Sequence, residues 1–250
     1  MNAISKINLI TLNNLIHTIY TTSSIEDMEK QVLAEIQVLI DYDSGDFYLS
    51  SFENEKKLVS PITYNLSKKF AEDYLNSYRT QDYARGLLNG HSNIFRESDI
   101  IPNDQMIATE YYRKFYQSYD FHYSLHLSIA FNNHFLGVLS LYRKSNKVNF
   151  TYDEIETLNL LTIHLETRLY QEHQQNKSNQ NKLIFEDTIN KFNLTNRETS
   201  VVKLLLTDAS NTGISDKLDI STNTLKKHIS HIYHKLQINN RLQLINLFSR

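Results

Sequence analysis

Between Thr222 and Leu236 the side chains sort into two groups by angle around a helix. At about 100° per residue, Leu225, Ile229, Ile232 and Leu236 fall in one narrow stripe. Opposite them stand Asn223, Lys226, Lys227, Ser230, His231 and His234. This face offers amide, ammonium, hydroxyl and imidazole groups and no acid. Such groups donate to phosphate oxygens and to base edges in a major groove, which is wide enough for one helix. A Lys-Lys pair taken alone is as often a solvated helix face. What surrounds this pair favours the nucleic-acid reading.

The surrounding residues spell short, capped helices. Thr195-Asn196-Arg197-Glu198 has the form of a capping box, and the helix it starts presents Val201, Val202, Leu204 and Leu205. Ser210 caps a second helix with Ile214 and Leu218 one turn apart, and after the turn at Asp219-Ile220, Ser221 caps the helix described above. The pattern is helix, short turn, helix. Charge divides at the same place. The whole chain carries only -2, yet residues 193–250 hold eight Lys and Arg against four Asp and Glu, a balance of +4. The remainder, with 18 basic and 24 acidic residues, carries -6. A small basic module can find DNA by releasing counterions, and an acidic body cannot.

Composition bounds the rest. Two hundred and fifty residues allow one or two domains. The chain has no Cys, which excludes disulfides, thiolate metal sites and thiol redox sensing. A mean hydropathy of -0.45 and the lack of a long apolar run argue against a membrane span. The start, Met1 to Ile7, lacks a basic region, an apolar core and a cleavage site, so a cytoplasmic location with no membrane partner is expected. No Gly-rich phosphate loop, nucleophile elbow or His-Glu-x-x-His spacing occurs, so no enzyme is expected. The seven His before residue 193 are scattered, and no metal or other cofactor is expected.

Leu194-Thr195-x-Arg197-Glu198, Ser210-Asn211, Ile214, Leu218, Ile220-Ser221, Thr224-Leu225-Lys226-x-His228, Ile232, Lys235-Leu236 and Arg241 together resemble the LuxR-type helix-turn-helix, across about 55 residues. Asp208, Gly213 and Ser215 stand where that family usually has Gly, a polar helix former and Ala. The resemblance implies an all-α, four-helix DNA-binding domain whose third helix enters the major groove. It implies base-facing roles for Lys226, Lys227 and Ser230, and backbone contacts from Thr224 and Lys235. It also implies that the last helix, with Leu244, Ile245 and Phe248, pairs two domains.

Elements ahead of this module follow from periodicity. Two amphipathic helices are predicted, the first through Ile19 and the second from Ser24 to about Leu39. Strands are predicted over 45–52 and 58–64, the second an edge strand because it contains Pro61. Residues 67–88 read as helix, 89–104 as loop and roughly 105–117 as a short helix. Tyr123–Phe131 and Phe135–Tyr142 read as a hairpin about Asn132-Asn133-His134, with Gly137 marking a close backbone approach. A long helix from Tyr152 to about Gln174 precedes a polar stretch that reads as a linker.

On the first hairpin strand Leu125, Leu127, Ile129 and Phe131 share one face, and Ser124, His126, Ser128 and Ala130 the other. The small, polar face suits a ligand cavity and equally suits contact with solvent or a loop. The order of elements over 1–170, with His134 to Leu141 and Phe150-Thr151-x-Asp153-Glu154-Ile155, resembles GAF-like or PAS-like sensor domains. Acyl-homoserine-lactone receptors are similar in module order, and Phe70, Tyr74 and Asp82-Tyr83 keep the outline of their pocket pattern without its Trp or Pro. Phe70 and Tyr74, four apart on a helix, also read as core. The cluster Tyr111, Tyr112, Tyr116 and Tyr119 either lines a site or covers the sheet edge.

The expected fold is thus α+β. An α/β/α sandwich sensor with an antiparallel sheet spans 1–172, a linker 173–190, and the helix-turn-helix domain 191–250. Candidate DNA-binding residues are Asn223, Thr224, Lys226, Lys227, Ser230 and Lys235. Candidate ligand-binding residues are Tyr64, Phe70, Tyr74, Asp82, His126 and Ser128. The expected partners are double-stranded DNA, a second copy of the chain in a homodimer, and a small-molecule effector. The competing reading is a ligand-independent regulator whose first domain only dimerises or docks a protein.

Overall fold

Two helices open the chain in the computed structural model, which describes residues 6–248; of the stretch Met1 to Ile7 read above, Met1 to Ser5 lie outside them. α1 (Lys6–Thr21) buries Leu15 and Ile19. α2 (Ile25–Ile36) starts where Ser24 Oγ accepts from the Asp27 amide at 3.3 Å, and it buries Met28, Val32, Leu33 and Ile36. The chain divides into two units, residues 1–173 and 174–250, each with a core of its own.

The first unit is built on an antiparallel sheet in the order β2-β1-β5-β4-β3. Its strands are β1 (Ser44–Ser50), β2 (Leu58–Tyr64), β3 (Asn93–Arg96), β4 (Tyr123–Phe131) and β5 (His134–Arg143). β2 lies at one edge, where Pro61 costs no ladder bond, and the β1–β2 register slips opposite Ser60, whose φ is 51°. The β4–β5 hairpin turns on Asn132 and Asn133, with φ of 51° and 63°. That pair of left-handed residues is what a type I′ turn requires.

Side-chain alternation gives the sheet two different faces. Phe47, Leu125, Leu127, Ile129, Leu139 and Leu141 pack under α1, α2 and the first part of α5 (Tyr152–Lys191), which contributes Leu158, Leu161, Leu165 and Leu169. The opposite face carries Tyr48, Val138 and Tyr142 against a layer drawn from residues 68–121. This second core is aromatic, with Phe70 stacked on Phe115 at 4.9 Å and Phe121 on Tyr142 at 4.4 Å.

The second layer is where sequence and structure differ most. The helix expected over 67–88 is α3 (Lys68–Asp73) running into one π turn at Tyr74–Tyr78, then a separate 3₁₀ turn at Tyr83–Leu87 capped by Asp82. The loop expected over 89–104 contains β3, four residues paired to β4 from Asn93↔Ser128 to Arg96↔Leu125. So short an edge strand leaves no alternation to detect. The short helix near 105–117 is α4 (Asn103–Ala108) followed by a π turn at Tyr112–Tyr116.

α5 also runs further than expected, for 40 residues to Lys191, through the stretch read as a linker. Its Gln, Asn, Lys and Glu residues are tolerable to good helix formers, and neither Gly nor Pro occurs between Tyr152 and Lys191 to stop it. None of residues 174–183 is buried.

In the second unit, α6 (Asn196–Leu205), α7 (Asn211–Lys217), α8 (Thr222–Leu236) and α9 (Arg241–Phe248) close around Val201, Val202, Ile214, Leu225, Ile232 and Leu244. Here one expectation is corrected: Leu244 and Phe248 point into this core, 0% and 6% exposed, because they share a face one turn apart. The apolar side chains that α9 leaves outside are Leu242 and Ile245.

Candidate functional site

α8 is set by caps on both sides of it. Ser221 Oγ accepts from the Thr224 amide at 3.1 Å, and Gln237 ends the helix in the left-handed region. The turn that aims it uses Asp219 at φ 53°, with the Ile220 amide donating back to the Ser215 carbonyl at 3.1 Å. α6 begins with the full capping box, Glu198 amide to Thr195 Oγ1 and Thr195 amide to Glu198 Oε2. Guanidinium groups tie the helices together: Arg197 donates to the Leu218 carbonyl and Arg241 to the Leu205 carbonyl, both at 2.7 Å.

That frame buries Leu225, Ile232 and Leu236 and leaves Asn223, Thr224, Lys226, Lys227 and Ser230 exposed on one side. Among the described residues neither Lys226 nor Lys227 forms an ion pair. Both ammonium groups are therefore available to an external anion or base edge. Lys235 differs. Its ammonium lies 2.7 Å from Glu198 Oε2 and 3.2 Å from the Asn193 carbonyl, which binds α8 to the start of α6. Burial pushes the Glu198 carboxyl up, but the Lys235 hydrogen bond and the Thr195 cap outweigh it and hold the group below its ordinary value.

In the first unit a cavity of about 20 Å³, room for about one water, lies between the sheet and the 68–121 layer. Tyr48, Tyr74, Asp82, Tyr111, His126 and Tyr142 are among its walls. Tyr74 donates to Asp82 Oδ2 at 2.7 Å, and Tyr142 donates to Asp46 Oδ2 at 2.9 Å. Burial raises the Asp46 carboxyl to about 7, against the hydrogen bond from Tyr142. Glu97, behind Tyr83 and Ser124, is likewise pushed up by burial to about 7. Burial lowers His126 to about 4, so its imidazole is neutral.

Of the ligand-binding candidates, Tyr74, Asp82 and His126 meet at this cavity. Tyr64 does not: its hydroxyl donates to Gln37 Oε1 at 2.8 Å and its ring meets Tyr42, in the core on the helix side of the sheet. Phe70 is fully buried among Phe115, Phe121 and Tyr142, as the core reading of its helix position had it. Ser128 shares the His126 face but lies outside the lining, its hydroxyl buried and unpaired. Tyr111 lines the cavity, whereas Tyr116 packs in the core and donates to Ser124 at 3.1 Å. Residues that periodicity passed over are Asp46 and Tyr48 on β1 and Ser140 and Tyr142 on β5. The signal present was Asp46 two residues from Tyr48, on the strand face opposite Phe47 and Leu49.

Comparison with known proteins agrees with both units. Residues 192–248 match the family "Bacterial regulatory proteins, luxR family". A curated relative, a putative HTH-type transcriptional regulator from Aeromonas salmonicida, is 42% identical over 55 residues, which is 22% of this chain; the chain spans 28% of that relative's length. Among solved structures, Escherichia coli SdiA is similar in fold, with a TM-score of 0.50 at 14% identity over 96% of this chain and 95% of its own. SdiA in complex with octanoyl-rac-glycerol matches equally well, at TM-score 0.50 and 15% identity over 96% of this chain and 93% of its own. The GAF domain of a Coxiella burnetii phosphoenolpyruvate-protein phosphotransferase matches with a TM-score of 0.53 at 16% identity, over 68% of this chain and 96% of its own.

Proposed function

We propose, from a C-terminal unit that is a LuxR-type helix-turn-helix domain, that this protein is a transcription regulator that reads DNA with α8 and is modulated through its GAF-like first unit. The observation that carries the reading is the outer face of α8. Asn223, Thr224, Lys226, Lys227 and Ser230 stand exposed together on a capped helix, with no acid among them and both ammonium groups without an ion pair among the described residues. Such a face supports Lys contacts to guanine edges and phosphates and amide or hydroxyl contacts beside them. Lys235, expected at the DNA backbone, is better read as a strut for α8, because Glu198 already holds its charge.

The protein would act as a dimer, with two copies of α8 in successive major grooves of an inverted repeat. Leu242, 66% exposed, and Ile245, 37% exposed, are the apolar groups that α9 offers for pairing. Selection from a random duplex library should enrich an inverted repeat with half-site centres about 10 bp apart or a multiple of that. Enrichment of one asymmetric half-site would contradict the dimer, and no enrichment would contradict DNA reading.

In this reading the effector site is the cavity around Tyr74, Asp82 and His126. Converging polar groups on a mostly aromatic wall support it. A second reading has its own observation: the aromatic layer closes the cavity to about 20 Å³, as a purely structural domain would. A thermal-shift screen of metabolites on the full chain separates the two. A ligand at 100 times its Kd adds about 2.7 kcal/mol to the unit that binds it. Silence across a broad library favours the ligand-independent regulator.

A further inference from the structure

The cavity wall combines aromatic rings with acceptors and holds no fixed positive charge. Tyr48, Tyr74, Phe95, Tyr111 and Tyr142 supply rings, Asp82 supplies a carboxyl, and neither Lys nor Arg is among the lining residues. Asp46 sits on the same face of β1 as Tyr48, across the β1–β5 pairing from Ser140. Two buried oxygens on this face of β1 make no hydrogen bond: the Tyr48 hydroxyl, on a residue 2% exposed that lines the cavity, and Asp46 Oδ1, on a residue 1% exposed that stands two positions along the strand and outside the lining. A buried polar atom without a partner forfeits the hydrogen bonds it had in water, so this spot favours whatever can donate to it. His126 cannot stand in as a cation, since burial keeps it neutral.

Resting on the sensor reading above, we propose that the effector class is a small primary alkylammonium, its head group donating to Asp46 and Tyr48 within the ring of aromatics. A cation is attracted to aromatic faces, and pairing with it offsets the cost of ionising a buried carboxyl. The unpaired acceptors call for N–H donors, which a quaternary ammonium lacks. Leu88 lines both this cavity and an outer groove of about 580 Å³ that also includes Leu75 and Phe135, so the two adjoin at that side chain, and the tail would leave there. A carboxylate ligand would bring a third carboxyl beside those of Asp46 and Asp82 and no N–H donor, and an alcohol carries one O–H donor where the ammonium carries three.

The test uses the full chain and three probes of equal length: n-butylammonium chloride, butan-1-ol and sodium butyrate at equal ionic strength. The ammonium salt should raise the melting temperature of the first unit and give a titration with a measurable Kd, while the other two do neither. Asp46→Asn should weaken that Kd at least tenfold and Tyr48→Phe several-fold. If Asp46→Asn does not fold, Tyr48→Phe and the probe series still decide. Equal or greater stabilisation by the alcohol or the carboxylate overturns the ligand class and leaves the sensor reading standing. No response to any of the three overturns the proposal, and the sensor reading is then judged by the metabolite screen alone.

Discussion

Lys235 lies 2.7 Å from Glu198, an acid that already closes the capping box of α6. One carboxylate thus serves a helix start and a strut between α6 and α8. Removing the ammonium leaves Glu198, 7% exposed, short of a charged donor, and hydrogen bonds to charged groups are each worth about 1.5–3 kcal/mol. Because the Lys235 side chain is 36% exposed, solvent reduces this, and Lys235→Ala should cost the second unit about 1 kcal/mol in a thermal melt. An unchanged melt combined with weaker DNA binding would instead make Lys235 a phosphate contact. Buried acids in the first unit give a different signature. Asp46 and Glu97 titrate near 4 in an unfolded chain and are pushed by burial to about 7 in the fold. Between those values the folded chain keeps protons that the unfolded chain releases, so stability falls as pH rises through that window. His126, lowered to about 4 from 6.5, opposes this below 6.5, because there the unfolded chain binds the extra proton. Glu29, pushed up by burial to about 9, and Asp82, also raised, act in the same direction as Asp46 and Glu97, so the carboxyls outweigh the imidazole. The first unit should therefore melt lower at pH 7.5 than at pH 5.5, and Asp46→Asn should shrink the difference. A melting temperature that rises over that range contradicts the assignment.

At the scale of elements, the strongest periodicities in the chain were legible in advance. The β4–β5 hairpin, the edge position of β2, the caps at Ser24, Ser210 and Ser221, and the apolar seam of α8 each follow from residue type and spacing. Gly137 was legible as a close approach, and a Cβ there would stand 2.5 Å from the Tyr48 carbonyl oxygen. Backbone cannot yield as a side-chain tip does, so Gly137→Ala should cost about 1–3 kcal/mol and lower the first unit's melting temperature by several degrees. An unaltered melt would mean that β1 and β5 separate there freely. The 68–121 layer was not legible, because its order comes from ring packing across the chain rather than from local propensity. Phe70 stacks on Phe115, and the Tyr119 hydroxyl donates to Asp73 at 2.9 Å. Asp46 and Tyr48 were missed for a related reason. Only the pairing of β1 with β5 brings them beside Tyr142, and that pairing joins residues about 96 apart in sequence.

For the whole molecule, a near-neutral total of -2 conceals an acidic first unit and a basic second one, and α5 runs as one helix across the division between them. The basic module carries the central claim, that the outer face of α8 reads DNA sequence. Phosphate contacts hold any duplex alike, whereas base contacts favour one site, so the decisive quantity is the ratio of affinities for a selected site and an unrelated duplex. Each base contact is worth about 1–3 kcal/mol of discrimination. The measurement is that ratio for the unaltered chain and for Lys226→Ala with Lys227→Ala, by gel shift at one fixed salt concentration. A fall in the ratio of at least about tenfold is predicted; an unchanged ratio at unchanged affinity would contradict the claim.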